Sequence, residues 1–221
     1  MSLDFSILGT VWPALLRGTL VTVELTGLVL LFSTPGGIIV ALLRASPSRG
    51  VRAVVATASW MLRGVPPLLV LFLVFFGLPF VGVRLAPLPS ATIAMTIYMS
   101  FYFGEVFRAG LLSVPAGQWK AAEALGLSRL RTLFRIILPQ TIPAALPPYI
   151  SNTTEVLKGT ALAAAVAVPE LTNAAKQTFV VTFRPFEILI AAAAIYAVLD
   201  TLLLVLQVYG ERWAARRRAA R

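Results

Sequence analysis

Long apolar runs, separated by short basic or Gly/Pro-rich breaks, set the pattern of this chain. Five runs, at about residues 19–43, 54–80, 90–112, 141–168 and 185–209, can each cross a hydrocarbon layer of ~30 Å, which takes ~20 helical residues. The pattern predicts an all-α membrane protein with about five transmembrane helices, residues 19–210 forming one membrane domain. Residues 1–18 are apolar but broken by Gly9 and Pro13. They read either as an interfacial segment, with Trp12 at headgroup level, or as a frayed tail. Pro35-Gly36-Gly37 is expected to kink or loosen the first span, and Arg63-Gly64-Val65-Pro66-Pro67 interrupts the second near its start. Residues 113–140 are the one long charged, amphipathic stretch. Residues 211–221 form a basic tail.

Composition supports a bilayer environment. The chain is 58% hydrophobic and 13% charged, with mean hydropathy +0.87, more apolar surface than a soluble domain of 221 residues hides. The net charge of +10 lies between the apolar runs, which fits orientation in a membrane better than nucleic-acid binding. Placing residues 44–52, 113–140 and the C-terminus on one side gathers twelve of the nineteen Lys and Arg residues there; the opposite side holds Arg17, Arg84, Lys176 and Arg184. Positive-inside bias then puts the N-terminus outside and the C-terminus in the cytoplasm. The start of the chain lacks a basic signal-peptide region and is expected to be kept. With no Cys and no His, disulfides, thiolate or imidazole metal sites and Ser-His or Cys-His catalysis are excluded. No glycine-rich phosphate loop is present. The expectation is a protein that is not an enzyme and holds no cofactor or metal; if ATP drives it, another chain hydrolyses the ATP.

Within residues 113–140, helical spacing puts Gln118, Ala121, Ala122 and Leu125 on one face and the Lys120–Glu123 i, i+3 pair on another. Gly126 offers a stop, and a second basic, apolar run ends at Pro139. A face of two alanines and a leucine suits docking on another protein. The run Gly117-Gln118-Trp119-Lys120-Ala121-Ala122-Glu123-Ala124-Leu125-Gly126, followed by Leu138-Pro139-Gln140, resembles the EAA loop of ABC-importer permeases, in the polar amino acid branch. The resemblance implies a type I importer fold in a bacterial inner membrane, with Gly117, Gln118, Lys120, Ala121, Ala122, Glu123, Leu125 and Gly126 forming a coupling helix on a cytoplasmic ATPase subunit. It further implies a second permease subunit, an extracytoplasmic solute-binding protein and a small-molecule substrate. The family usually has Glu before the paired alanines and a basic or neutral residue after them. Here Lys120 and Glu123 invert that order, so a matching change on the ATPase is expected.

Polar residues inside spans mark the candidate path. Tyr102, Glu105 and Arg108 match the family's third-span pattern, and Lys158-Gly159-Thr160-Ala161-Leu162 resembles its Lys-Asp-Thr-Ser-Leu segment. Pro169-Glu170-Leu171 matches a following Glu-Leu and reads as a helix start with Pro169 at the first helical position. Asn152, Glu155 and Gly159 share a helical face, and Glu155 with Lys158 is an i, i+3 pair. Tyr102, Glu105, Asn152, Glu155, Lys158 and Thr160 are therefore the candidate path residues. The competing reading is that Glu155 and Lys158 neutralise each other and join helices. Arg63 and Arg108 either face the path or snorkel to headgroups. An ATP-independent carrier or channel is the alternative function.

Overall fold

The computed structural model describes residues 4–219; the first three residues of the expected N-terminal segment and the last two of the tail lie outside the described residues. After a short turn at Phe5–Ile7, capped by Asp4, helix α1 runs through Leu8–Arg44. The Ser6 hydroxyl and then the Ser6 N–H, the latter 3.0 Å from Oδ1, hold the Asp4 carboxyl below the usual carboxylate range. Helix α1 passes through residue 19 without a break, and Gly9 and Pro13 lie inside its first turns. Pro13 lies past the four early N–H groups that lack an intrahelical partner, so it removes one ladder bond, and the helix continues through it. Pro35 also lies inside the unbroken helix.

The second expected span is two helices. α2 covers Arg49–Gly64, with Ser48 as N-cap, and α3 covers Pro67–Phe72 and continues through single-turn distortions to Val81. The two meet at 105°. Val65 (φ −93°, ψ 137°) and Pro66 (φ −56°, ψ 136°) are extended there, because a proline pushes the residue before it out of the helical region. α2 is amphipathic, unlike the apolar segment that follows Pro67.

α4 spans Pro87–Leu112 and α5 spans Ala116–Ala124. The short α6 (Arg129–Thr132) passes through a π turn, Leu133–Ile137, into α7 (Leu138–Gly159). The chain then tightens into a 3₁₀ segment, Thr160–Val166, that ends at Ala167 with φ 62°. α8 (Leu171–Thr182) and α9 (Pro185–Ala219) complete the fold, α9 running through most of the stretch expected as a separate tail. By length and apolar content, Phe5–Arg44 and Pro185–Trp213 each suffice to cross a bilayer, and the bent pair Arg49–Gly64 and Pro67–Val81 can supply a third crossing. α4 and α7 have the length but carry the polar side chains described below.

The main core lies where α1, α3, α4 and α7 meet, around Leu25, Val29, Leu71, Phe103 and Val156. α1 and α4 pack closest because their contact is built from small residues. A Cβ at Gly37 would come within 2.5 Å of the Cβ of Phe103, and one at Gly104 would run into Val40. A second core joins the start of α1 to α8 and α9 through Leu15, Leu171 and Ile188. Glu170 anchors this end. It is fully buried, and its carboxylate accepts from Thr172 N (2.8 Å), Asn173 N (2.7 Å) and the Tyr196 hydroxyl (2.8 Å). Glu170 is thus the N-cap of α8 and Leu171 its first residue, so Pro169 lies two positions before the first helical position expected for it.

Candidate functional site

Two adjoining clefts open between α4 and α7. One, about 390 Å³, is lined by Tyr98, Met99, Tyr102, Asn152, Glu155, Lys158 and Gly159, with Pro67 and Leu71 from α3. The other, about 600 Å³, is lined by Arg63, Tyr102, Glu105, Gly110, Ser113, Pro148 and Asn152. Tyr102 and Asn152 belong to both, so one side chain from each helix stands where the clefts meet. Three further groups arm this junction. The Tyr98 hydroxyl donates to the Tyr102 hydroxyl (3.0 Å), Tyr102 donates to the Arg63 carbonyl (3.3 Å), and the Arg63 guanidinium lies 5.2 Å from the Tyr102 ring centre. Tyr98 was not among the residues expected from sequence. It lies one helical turn before Tyr102, a spacing that could have revealed it.

Glu105 is placed differently from the other expected path residues. Its carboxylate receives Arg44 Nε at 3.2 Å, Arg108 Nε at 2.8 Å and Ser59 Oγ at 3.2 Å, so one acidic side chain ties α1, α2 and α4 together. Both oxygens are engaged, and although Glu105 borders the larger cleft, its charge is already compensated twice. Arg108 is consumed in the same knot.

The polar end of α7 also departs from expectation. Lys158 does not pair with Glu155; its Nζ lies 3.2 Å from Oδ2 of Asp200 on α9. Glu155 is exposed on the cleft wall, and none of the ion pairs among the described residues includes it. Thr160 does not line either cleft. It is fully buried and donates to the Leu157 carbonyl at 2.7 Å, at the point where α7 tightens into the 3₁₀ segment. Asn152, Glu155, Lys158 and Tyr102 are therefore brought together, Glu105 sits at the border, and Thr160 is turned away.

The charged amphipathic stretch folds as a helical hairpin. α5 ends in a Schellman motif: Gly126 adopts φ 71°, Leu127 N donates to the Ala122 carbonyl (3.0 Å) and Gly126 N to the Glu123 carbonyl (2.9 Å). The paired alanines divide between two sides. Ala122 is 1% exposed, turned toward the chain's own α6 and the turn after it, which pack on α5. Gly117, Gln118, Ala121 and Leu125 are exposed, Leu125 at 78%. The expected docking face thus loses Ala122, which serves the hairpin's own closure. Lys120 and Glu123 are exposed, and no ion pair among the described residues joins them. A groove lined by Trp119, Glu123, Ser128, Leu130 and Leu133 runs beside the helix.

Comparison with known proteins places this geometry. The family described as binding-protein-dependent transport system inner membrane component matches residues 33–216. The chain is 37% identical over 202 residues to the L-cystine transport system permease protein TcyB of Bacillus subtilis (strain 168), covering 91% of this chain and 86% of that one. It is 31% identical to the nopaline transport system permease protein NocM of Agrobacterium fabrum (strain C58 / ATCC 33970), covering 96% and 92%. A crystal structure of an amino acid ABC transporter with histidines superposes with TM-score 0.89 at 30% identity, over 96% of this chain and 99% of that one. An inward-facing structure of the MetNI methionine ABC transporter, 18% identical, shares the fold with TM-score 0.70 over 92% and 96%.

Proposed function

Because this chain belongs to the inner-membrane components of binding-protein-dependent transport systems, we propose that it forms the membrane path of an ABC importer for polar amino acids and that the paired clefts between α4 and α7 are that path. One observation carries the reading. Polar side chains in an otherwise apolar bundle converge on the gap between the two helices that α5 and its hairpin connect. The relatives named for L-cystine, for nopaline and for an amino acid transporter support an amino acid substrate. ATP is hydrolysed by a separate cytoplasmic subunit that receives the exposed face Gly117, Gln118, Ala121 and Leu125, with Lys120 and Glu123 meeting charges inverted relative to the usual partner. An extracytoplasmic binding protein delivers the solute, and a second permease subunit completes the path. The chain itself binds no nucleotide or cofactor. The N-terminus faces outward and the hairpin faces the cytoplasm, in line with the basic residues on that side.

The test is uptake of radiolabelled amino acids into proteoliposomes holding the chain, its ATPase and its binding protein. Uptake should require ATP inside the hairpin-facing compartment and fall at least about tenfold in Asn152→Leu, since a leucine removes hydrogen-bonding capacity where the clefts join. Uptake that proceeds undiminished without ATP would identify an ATP-independent carrier instead.

A further inference from the structure

The cleft beside Tyr98 has two charged side chains on its wall, Glu155 and Lys158. Spacing along α7 would pair them, leaving the cleft neutral. The fold prevents this by supplying Lys158 with another partner. Asp200 stands behind the cleft wall, in the middle of an apolar run of α9, and its Oδ2 holds Lys158 Nζ at 3.2 Å. Its other oxygen, Oδ1, is buried with no hydrogen-bond partner among the described residues. Lys158 is thus the carboxylate's one ion-pair partner among them. Without that ammonium the half-buried aspartate would be a charge without compensation in an apolar setting, an unfavourable state. The attraction is correspondingly directed: Lys158 serves Asp200 before Glu155. In the adjoining cleft, Glu105 is neutralised by Arg44 and Arg108, and the guanidinium of Arg63 lies over Tyr102 at the far side of the junction.

We infer that Asp200 is a specificity-determining positioning residue: by engaging Lys158 it leaves Glu155 as the uncompensated charge of the cleft and so selects solutes that bring a cationic group to it. This rests on the clefts being the substrate path. The chemical class that fits is an amino acid with a neutral or cationic side chain, its ammonium group near Glu155; a second carboxylate on the solute would meet Glu155 with like charge. Asp200 does not touch the solute. It acts by deciding whether Lys158 cancels Glu155.

The experiment uses the full chain, co-purified with its ATPase and held in nanodiscs, with radiolabelled L-lysine, L-glutamine and L-glutamate as probes. The wild-type protein should bind lysine at least about tenfold more tightly than glutamate. Asp200→Asn releases Lys158 to Glu155 and should shrink that ratio by about tenfold, while Asp200→Glu preserves it. Glu155→Gln, which leaves the Lys158–Asp200 pair intact, should shrink the ratio as well and covers the case in which Asp200→Asn does not fold. A preference ratio unchanged in Asp200→Asn or in Glu155→Gln overturns the inference while leaving the importer reading intact. Binding of none of the three probes to the wild type, together with no ATP-dependent uptake, overturns both. A second readout needs no substrate. Reductive methylation followed by mass spectrometry should modify Lys158 faster in Asp200→Asn than in wild type, with Lys120 and Lys176 as internal references; equal rates would show that Asp200 does not hold the lysine and would also overturn the inference.

Discussion

Glu170 illustrates how one side chain can fix an entire helix end. Three donors converge on its buried carboxylate, two from the backbone at the start of α8 and one from Tyr196 on α9. Removing the acceptor strands two amide groups away from water, so Glu170→Ala should destabilise the protein by roughly 3 kcal/mol, against about 1 kcal/mol for Tyr196→Phe. Thermal unfolding of the purified variants in detergent checks the order; equal shifts would mean that the cap contributes no more than the phenol. The Pro169-Glu170-Leu171 run was legible as a helix start because capping is a local matter of a few residues. The partner of Lys158 was not legible. Glu155 lies three positions away and looks sufficient, whereas Asp200 is brought in only by the packing of α9 on α7. The available signal was energetic: a lone aspartate in an apolar span requires a cationic partner somewhere in the bundle. The compensation of Glu105 by Arg44 was hidden for the same reason, while its neighbour Arg108, three positions on, was visible.

Among the elements, the α5 hairpin depends on one backbone conformation. Gly126 at φ 71° closes the Schellman motif, and any Cβ there is strained by about 1 kcal/mol. Gly126→Ala should therefore speed amide hydrogen exchange through Ala116–Ala124 and leave α1 and α4 protected. The alanine pair separates folding from docking. Ala122→Trp inserts a ring into the hairpin's own closure and should cost ~3 kcal/mol or more locally, whereas Ala121→Trp projects outward and should leave stability nearly unchanged while blocking attachment of the ATPase. Single cysteines, introduced into a chain that has none of its own, give the direct comparison. A cysteine at position 121 or 125 should crosslink to the ATPase subunit and one at 122 should not. Crosslinking strongest at 122 would mean that the hairpin opens on assembly. Sequence periodicity could locate this helix and its stop, but it could not divide the two alanines, because the inward side is defined by a return segment whose path is not periodic. The α2–α3 corner was half visible: the prolines marked a break, and the 105° turn follows from two consecutive extended residues rather than from any hydrophobic pattern.

At the level of the whole molecule, hydropathy announced an all-α bundle of long apolar helices, but α1 runs through the expected start of the first span and the second span is two helices. The close α1–α4 crossing is a global constraint written in single glycines. Gly104→Val should lower stability by ~2 kcal/mol or more, because two helices must separate to admit the side chain; a variant with wild-type unfolding temperature would show that the contact yields. Orientation is testable in intact cells with a membrane-impermeant maleimide: a cysteine at Lys176 or Arg184 should label from outside, and one at Ser48 or Gly117 should label only after the membrane is breached. α5 is spliced between the last turn of α4 and the hairpin that leads into α7, so it is fastened to both walls of the same opening. It behaves as a yoke across two levers. A push on it would reach both walls at their hairpin ends and could not move one without loading the other, and because the Glu105 knot binds the α4 lever to α1 and α2, the α7 lever has the freer end. The stroke should thus be unequal, with α7 and the α9 helix linked to it through Lys158 swinging while α4 serves as the fixed jaw.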